Sequence, residues 1–187
     1  MNVLVAYATR HGATAGIAER IAASLTSSGV PAEALPLDEV GDPAAYDAFV
    51  IGAAAYMSHW LKDAGAFVKR HQPLLAARPL WLFSSGPLGE ETVDAEGHDM
   101  LDSAVPREFE ELTRTLKPRG TRVFFGAWDP TAPPVGMAER LMKLVPAEKS
   151  PLPAGDFRDW EAIDSWAADI AAELRPPVSV HPDGPGR

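Results

Sequence analysis

The apolar run Val3 to Ala8 constrains the fold of this chain most, because it has no polar alternation. A strand that is hydrophobic on both faces is typical of a parallel sheet with helices on each side. The run leads through Thr9–Thr14 into a segment whose apolar residues recur at Ile17, Ile21 and Leu25, which is the spacing of a helix face. The chain is therefore predicted to begin with a buried strand, a tight turn and a helix.

The rest of the chain repeats this alternation of strand and helix. Further strands are predicted at Ala32–Leu37, Phe49–Gly52, Leu80–Phe83 and Thr121–Ala127, and further helices at Lys62–Leu75, Val105–Leu116 and Trp160–Leu174, the last with Asp159 as N-cap. Right-handed crossovers then favour a doubly wound α/β fold, with five parallel strands in the order 2-1-3-4-5. The connecting segments Ala53–Trp60 and Ser84–Gly89 are interpreted as loops, and Glu90–Asp102 as an exposed crossing.

Length and composition narrow the function classes. We expect one domain over residues 1–175, followed by a disordered Pro- and Gly-rich tail at 176–187. The absence of cysteine excludes thiol catalysis and iron–sulfur clusters. The 26 acidic and 17 basic residues give a net charge of −9, which disfavours nonspecific nucleic-acid binding. No signal peptide and no membrane-spanning run is recognised, so a soluble, cytoplasmic protein is expected.

The turn Thr9–Thr14 is the first candidate binding site. It combines two hydroxyl groups, a glycine and the backbone N–H groups of a helix N-terminus, which together suit a phosphate. An ordinary strand–helix unit begins in the same way, so the purely structural interpretation stays open. The turn lacks the ending of a Walker loop and the three glycines of a dinucleotide fingerprint, which disfavours nucleoside triphosphates and dinucleotides.

Three predicted loops converge at the carboxyl edge of the sheet, and at this point a family resemblance emerges. Thr9, Gly12 and Thr14 match the T-x-T-G-x-T pattern that follows the first strand of flavodoxin-like FMN proteins, whereas Arg10 and His11 depart from it. The resemblance covers about residues 3–175. It implies a flavodoxin-like fold with FMN as the cofactor.

Within that family the chain is similar to the flavodoxin-type menaquinone-dependent protoporphyrinogen oxidases. The similarity rests on Val50–Ala53 with the aromatic loop Tyr56–Trp60, on a Pro-rich insertion at 128–158, and on Asp159–Glu161 at the start of the last helix. The insertion differs in charge: its acidic and basic side chains balance, whereas the corresponding segment of the family is basic. This difference weakens the case for membrane docking.

The resemblance implies a set of cofactor-binding residues. The phosphate is expected at Thr9, Arg10, His11, Gly12, Ala13 and Thr14, and the flavin ring at Ala53, Ala54, Ala55, Tyr56, Trp60, Ser84, Ser85, Gly86 and Gly89. Tyr56 and Trp60 are candidates to stack on the ring, although Trp60 is equally compatible with the core. His11 and His59 are favoured as exposed loop residues over acid–base catalysts. No catalytic residue is assigned and no metal site is expected.

Three functions remain open at this stage. The first is an FMN oxidoreductase acting on a quinone or a porphyrinogen-like substrate, and the second is a one-electron carrier for a redox partner. The third is a non-catalytic module that binds a phosphate anion. Within the insertion, Met137, Leu141, Leu144 and Val145 have the spacing of a short helix, which would pack on the domain or form a docking surface for a membrane or partner. The oligomeric state is left open.

Overall fold

The computed structural model describes residues 1–94, 96–132 and 153–175. Its strands are β1 Val3–Ala8, β2 Ala32–Pro36, β3 Ala48–Tyr56, β4 His59–Trp60, β5 Leu80–Ser85, β6 Gly120–Phe124, β7 Ala127–Trp128 and β8 Gly155–Asp156. Its α-helices are α1 Ala13–Ser27, α2 Lys62–Arg70, α3 Gln72–Ala76, α4 Met100–Ser103, α5 Glu108–Leu116 and α6 Trp160–Leu174, and a 3₁₀ turn covers Pro43–Ala45. The parallel strands follow the order β2-β1-β3-β5-β6, which confirms the predicted topology.

The sheet is buried on both faces because successive strand residues point to opposite sides. Val3 and Val5 of β1 pack with α1 and α6 on one face, whereas Leu4 and Ala6 pack with α2, α3 and α5 on the other. All four of these side chains are completely buried. The unbroken apolar run of β1 is thus explained by a helix layer on each side of the sheet.

The register of the central strands aligns their carboxyl ends. Ala8 of β1 lies beside Ala53 of β3, and Ala53 lies beside Ser84 of β5. The segments that leave these strands therefore start next to one another at one edge of the sheet. In parallel sheets of this topology, ligands bind at that edge, where the direction of the crossovers reverses.

The segment Ala53–Trp60, interpreted above as a loop, is instead a β-hairpin. Strand β3 continues to Tyr56, and β4 returns antiparallel with Ala55 opposite Trp60 and Tyr56 opposite His59. The two residues of the turn, Met57 and Ser58, have left-handed backbone angles with φ of 52° and 61°. Positive φ at both central positions is the geometry that two-residue hairpins favour.

Two further boundaries differ from the prediction. The helix expected over Lys62–Leu75 is two helices that meet at His71, because Pro73 cannot lie inside a continuous helix. The last predicted strand, Thr121–Ala127, ends at Phe124, and Ala127 belongs to β7, which pairs antiparallel with β8. Ser84 and Ser85, expected in a loop, complete β5.

The connection after β5 is mostly exposed, as predicted, but it contains the short helix α4. Val105, expected on a helix face, lies before α5 and is 43% exposed. The helix proposed for Met137–Val145 and the tail at 176–187 lie outside the described residues, and the domain boundary at 175 stays a prediction.

Candidate functional site

The turn after β1 is held in shape by its own residues. Gly12 has φ of 84° and ψ of −11°, and its N–H donates to Thr9 Oγ1 at 3.0 Å. Helix α1 starts at Ala13. The residues of its first turn, Ala13–Gly16, are small and uncharged, and Thr14 has the only polar side chain among them. The first N–H groups of a helix have no intrahelical acceptor and point toward the incoming chain. The turn is therefore preorganised to bind an anion.

Thr14 connects this turn to the end of β5. Its Oγ1 lies 2.8 Å from Ser85 Oγ, and both side chains are buried. The neighbouring Ser84 points to the opposite face of the sheet, and its Oγ has no hydrogen-bond partner among the described residues. Ser85 thus faces the turn Thr9–Thr14, whereas Ser84 points away from it.

The hairpin forms the second wall of the site. Tyr56 as a whole residue is 36% exposed, and the guanidinium carbon of Arg10 lies 4.5 Å from the centroid of its ring. Trp60 is only 4% exposed, and its Nε1 donates to the carbonyl oxygens of Ala53 and Phe83 at 3.1 and 3.2 Å. Tyr56 therefore has a surface to offer a ligand, whereas Trp60 is a core residue that joins β3 to β5.

The tip of the hairpin is fastened to the start of α5. The N–H of Arg107 donates to the carbonyl of Ser58 at 3.0 Å. Glu108 Oε2 accepts from the Trp60 N–H at 3.1 Å, and Glu108 Oε1 lies 2.9 Å from His59 Nδ1. Partial burial raises the pKa of Glu108, but the hydrogen bonds from His59 and Trp60 outweigh it and hold the pKa below its usual value. A charged Glu108 thus fixes the hairpin at neutral pH.

A cleft of about 290 Å³ lies between the hairpin, the segment after β5 and helix α4. Its lining is mostly apolar and consists of Ala55, Met57, Ser58, Gly86, Pro87, Met100, Ser103 and Ala104. The hairpin and the opposite segment approach closely at Gly86, where a Cβ would lie 3.3 Å from the Ala55 carbonyl oxygen. The cleft is shaped for a flat or apolar group.

The two described ends of the insertion meet beside the turn Thr9–Thr14. Trp128 of β7 pairs with Gly155 of β8, and the ring of Trp128 meets that of His11 edge to face at 5.2 Å. The N–H of Phe157 donates to the Gly126 carbonyl at 3.1 Å. The chain therefore enters and leaves the insertion at the carboxyl edge of the sheet, next to the turn.

The structure brings most of the predicted site residues to this edge. The turn Thr9–Thr14, the segment Ala53–Tyr56, and Ser85 with Gly86 lie around it, although Thr14, Ala53 and Ser85 are buried, as are Ser84 and Trp60. Gly89 does not line the cleft. The sequence interpretation placed the segment Ser85–Gly89, and with it Pro87, at the flavin. It assigned no site role to the cleft residues Met57, Ser58, Met100, Ser103 and Ala104, or to Glu108 behind the hairpin. No local pattern marks these residues, because their position at the cleft depends on how distant segments pack.

A cluster of carboxylate and imidazole groups lies outside this site. The ligand-type atoms of Asp94, Glu96 and His98 lie within 4.8 Å of one another. Asp94 Oδ1 accepts from the N–H groups of Glu96 and His98 at 3.0 and 2.8 Å, so the cluster forms a hydrogen-bonded turn. The expectation that the chain has no metal site stays a prediction.

The fold and the site together define a flavodoxin-type protein. The sequence profile of the flavodoxin domain family matches residues 4–142, and the chain belongs to that family. The site fits the FMN of this family, because an anion-binding turn and an open cleft lie at the same sheet edge. FMN is thus the cofactor, as the sequence predicted.

The chain is also similar to individual known proteins over most of its length. Protoporphyrinogen IX dehydrogenase [quinone] of Escherichia coli strain K12 is 25% identical over 180 residues, which cover 91% of this chain and 95% of the relative. Flavodoxin 1 from Bacillus cereus superposes with a TM-score of 0.57 at 14% identity, covering 94% of this chain and all of that protein (100%). An archaeal flavodoxin gives a TM-score of 0.55 at 16% identity, with 92% and 98% coverage. These structures show the flavodoxin fold.

Among the residues that the structure describes, no helix has both the length and the apolar character needed to cross a lipid bilayer.

Proposed function

We propose that this chain is an FMN-dependent oxidoreductase that takes electrons from a porphyrinogen-like substrate and passes them to a quinone. The observation that carries the proposal is the cleft beside the hairpin, whose lining is mostly apolar and which is open to solvent. Met57, which forms part of its wall, is 93% exposed. An apolar wall that is open to solvent suits a bulky aromatic reactant better than it suits water or a small ion.

The chain's own residues supply binding and orientation in this proposal. When bound, FMN accepts and returns the electrons of the reaction. The N–H groups of the first turn of α1 and the hydroxyl of Thr9 would hold its phosphate. The hairpin residues Ala55 to Ser58 and the facing Gly86–Pro87 would bound the ring, and Tyr56 would provide its stacking surface. The cleft would then keep a flat substrate in contact with the outer edge of the ring.

The relative from Escherichia coli supports the finer part of the proposal. Its similarity covers 91% of this chain and is therefore not confined to the anion-binding turn. The insertion between β7 and β8 opens at the same edge as the cleft, where it would form a further wall for the substrate. Its formally neutral composition favours contact with the substrate over docking to an anionic membrane.

Electron transfer to a protein partner is the second candidate function, and charge is the observation that favours it. Six acidic residues lie between positions 90 and 102, before or within α4, which lines the cleft: Glu90, Glu91, Asp94, Glu96, Asp99 and Asp102. Such a negative rim would attract a basic redox protein and would orient it toward the site.

Turnover with matched acceptors distinguishes the two functions. The FMN-loaded chain is incubated without oxygen with protoporphyrinogen IX and either a soluble menaquinone analogue or ferric cytochrome c, a basic protein acceptor. If the chain is the enzyme, porphyrin fluorescence should grow over many turnovers when the quinone is the acceptor. The carrier predicts no catalytic porphyrin formation but rapid cytochrome reduction by the pre-reduced protein, which slows as salt is added. Absence of quinone-dependent turnover contradicts the enzyme proposal.

A further inference from the structure

Arg158 is a nearly buried cation at the base of the insertion. Its side chain is 17% exposed, and its Nε and Nη2 donate to the two carboxylate oxygens of Asp156 at 2.7 and 2.6 Å. Its guanidinium carbon also lies 4.4 Å from the centroid of the Trp160 ring. A bidentate carboxylate and an aromatic face together hold the guanidinium in one orientation.

The third nitrogen of this guanidinium reaches helix α1. Arg158 Nη1 donates to the carbonyl oxygen of Ala13 at 3.3 Å, across 145 positions of sequence. Gly16, one turn further along α1, leaves the space for it, because a Cβ at this position would lie 2.5 Å from Nη1. The side chain therefore rests directly against the first turn of α1, which follows the anion-binding turn.

The geometry points to Arg158 as a positioning residue for the phosphate of FMN. The peptide group between Ala13 and Thr14 is planar, so fixing the Ala13 oxygen also fixes the direction of the Thr14 N–H on the opposite side. That N–H belongs to the first turn of α1, whose donors are aimed at the anion. Arg158 acts through this peptide group, and Asp156 orients Arg158. The inference rests on the FMN assignment and leaves the choice of substrate untouched.

A comparison of two flavins tests this role. FMN and riboflavin differ only in the phosphate, so a residue that acts on the phosphate site changes the affinity for FMN and leaves that for riboflavin unchanged. Arg158→Met keeps an apolar stem against Trp160 and removes the guanidinium. We expect FMN to bind about tenfold more weakly to the apoprotein of this variant, because the Thr14 N–H is no longer held in the direction of the phosphate and its hydrogen bond to that charged group weakens. Quenching of flavin fluorescence measures both dissociation constants.

Arg20 provides a matched control. It also joins α1 to an acidic residue of the carboxyl-terminal segment, since its Nε donates to Asp164 Oδ1 at 2.7 Å, but it lies further along α1 from the turn. Arg20→Met should leave the affinities for both flavins unchanged. The Arg20 variant loses an ion pair between α1 and α6 but keeps the Arg158 contact at Ala13, so it shows whether loss of any ion pair of α1 weakens FMN binding.

The outcomes decide the inference. A loss of affinity confined to FMN in Arg158→Met supports it, whereas an equal loss for both flavins, or none for either, overturns it. If Arg158→Met does not fold, Gly16→Ala replaces it, because the new Cβ displaces Nη1 while favouring the helix. The same selective loss is then expected, and its absence overturns the inference. Failure of the unaltered chain to bind FMN would contradict the cofactor assignment instead.

Discussion

Gly12 and Thr9 show how single residues shape the turn Thr9–Thr14, our proposed anion site, before any ligand binds. Gly12 adopts a left-handed conformation that costs other residues about 1–2 kcal/mol, and its N–H is capped by the Thr9 hydroxyl oxygen. The Thr9 oxygen thereby accepts a bond from the turn, and its hydrogen stays available to donate to an anion. One side chain thus connects the shape of the turn with its ability to bind a phosphate.

Thr9→Ala is expected to weaken FMN binding about ten- to a hundredfold, because it removes a hydrogen bond to a charged group and loosens Gly12. Riboflavin affinity should change much less. Thr26→Ala, at the far end of α1, serves as the control, since the Thr26 hydroxyl donates to the Ala32 carbonyl, away from the turn Thr9–Thr14. Unchanged FMN affinity in both Thr9→Ala and Thr14→Ala, with the fold intact, would exclude this placement of the phosphate.

Gly52 limits the packing of the central strand. A Cβ at this position would lie 1.9 Å from Phe83 Cζ, so Gly52→Ala forces a buried aromatic ring to move. We expect the free energy of unfolding to fall by about 1–3 kcal/mol, as is usual for overpacked cores. Gly65→Ala is the control, because its Cβ would meet open space on α2 and should stabilise that helix by about 1 kcal/mol. Urea denaturation of both variants measures the difference, and equal stability would contradict it.

The strands and their order were predictable because their signals are local. Runs such as Val3–Ala8 are apolar throughout, and the right-handedness of the crossovers between parallel strands leaves few possible strand orders. The turn Thr9–Thr14 was located for the same reason, since it lies between a clear strand and a clear helix. Pro73 also marked the split of the second helix in the sequence. The prediction overlooked it because the apolar residues keep a helical spacing across the break.

The hairpin after β3 could not be predicted from local signals. Ala53, Ala54 and Ala55 have little preference for strands, and the turn residues Met57 and Ser58 lack the Asn-Gly pattern of a two-residue hairpin. What stabilises the hairpin comes from elsewhere in the chain, above all from Glu108 and from the bonds that Trp60 makes to the sheet. The contact between Glu108 and the hairpin joins segments 48 positions apart, so the residue pattern of neither segment reveals it.

Glu108→Ala tests whether the hairpin supports the flavin ring. Loss of the carboxylate frees the Trp60 N–H and His59 together, so the wall formed by Met57 and Ser58 should loosen. Because we propose that the hairpin bounds the ring and not the phosphate, we expect FMN and riboflavin to lose affinity by a similar factor, about tenfold. Flavin fluorescence titration measures both.

A control for this substitution lies on the same helix. Glu110 is exposed in the first turn of α5, so Glu110→Ala removes a similar helix-terminal charge without touching the hairpin. It should leave both affinities unchanged. Normal binding of both flavins to Glu108→Ala would show that the hairpin does not need this support.

The molecule as a whole combines a flavodoxin core with an insertion whose two ends are paired. Trp128 and Gly155 lie opposite each other in the β7–β8 ladder, so the chain between them leaves and returns at one point of the sheet edge. The contacts of this base with the anion site, through Trp128 to His11 and through Arg158 to Ala13, belong to the described residues. We therefore expect the core to bind FMN when only the two ends of the insertion are present.

This arrangement can be tested by replacing residues 129–154 with the dipeptide Asn-Gly. The dipeptide closes β7 and β8 as a two-residue hairpin, so the core should fold and bind FMN with nearly unchanged affinity. If the insertion forms a wall for the substrate, quinone-dependent oxidation of protoporphyrinogen should fall at least tenfold, mainly through a higher KM, while reduction of cytochrome c by the pre-reduced protein persists.

The milder double variant Leu141→Ala with Leu144→Ala should lower the same activity without a large change in Tm. Undiminished quinone turnover in the shortened chain would show that the cleft alone carries the reaction, whereas loss of FMN binding would show that the insertion is part of the core.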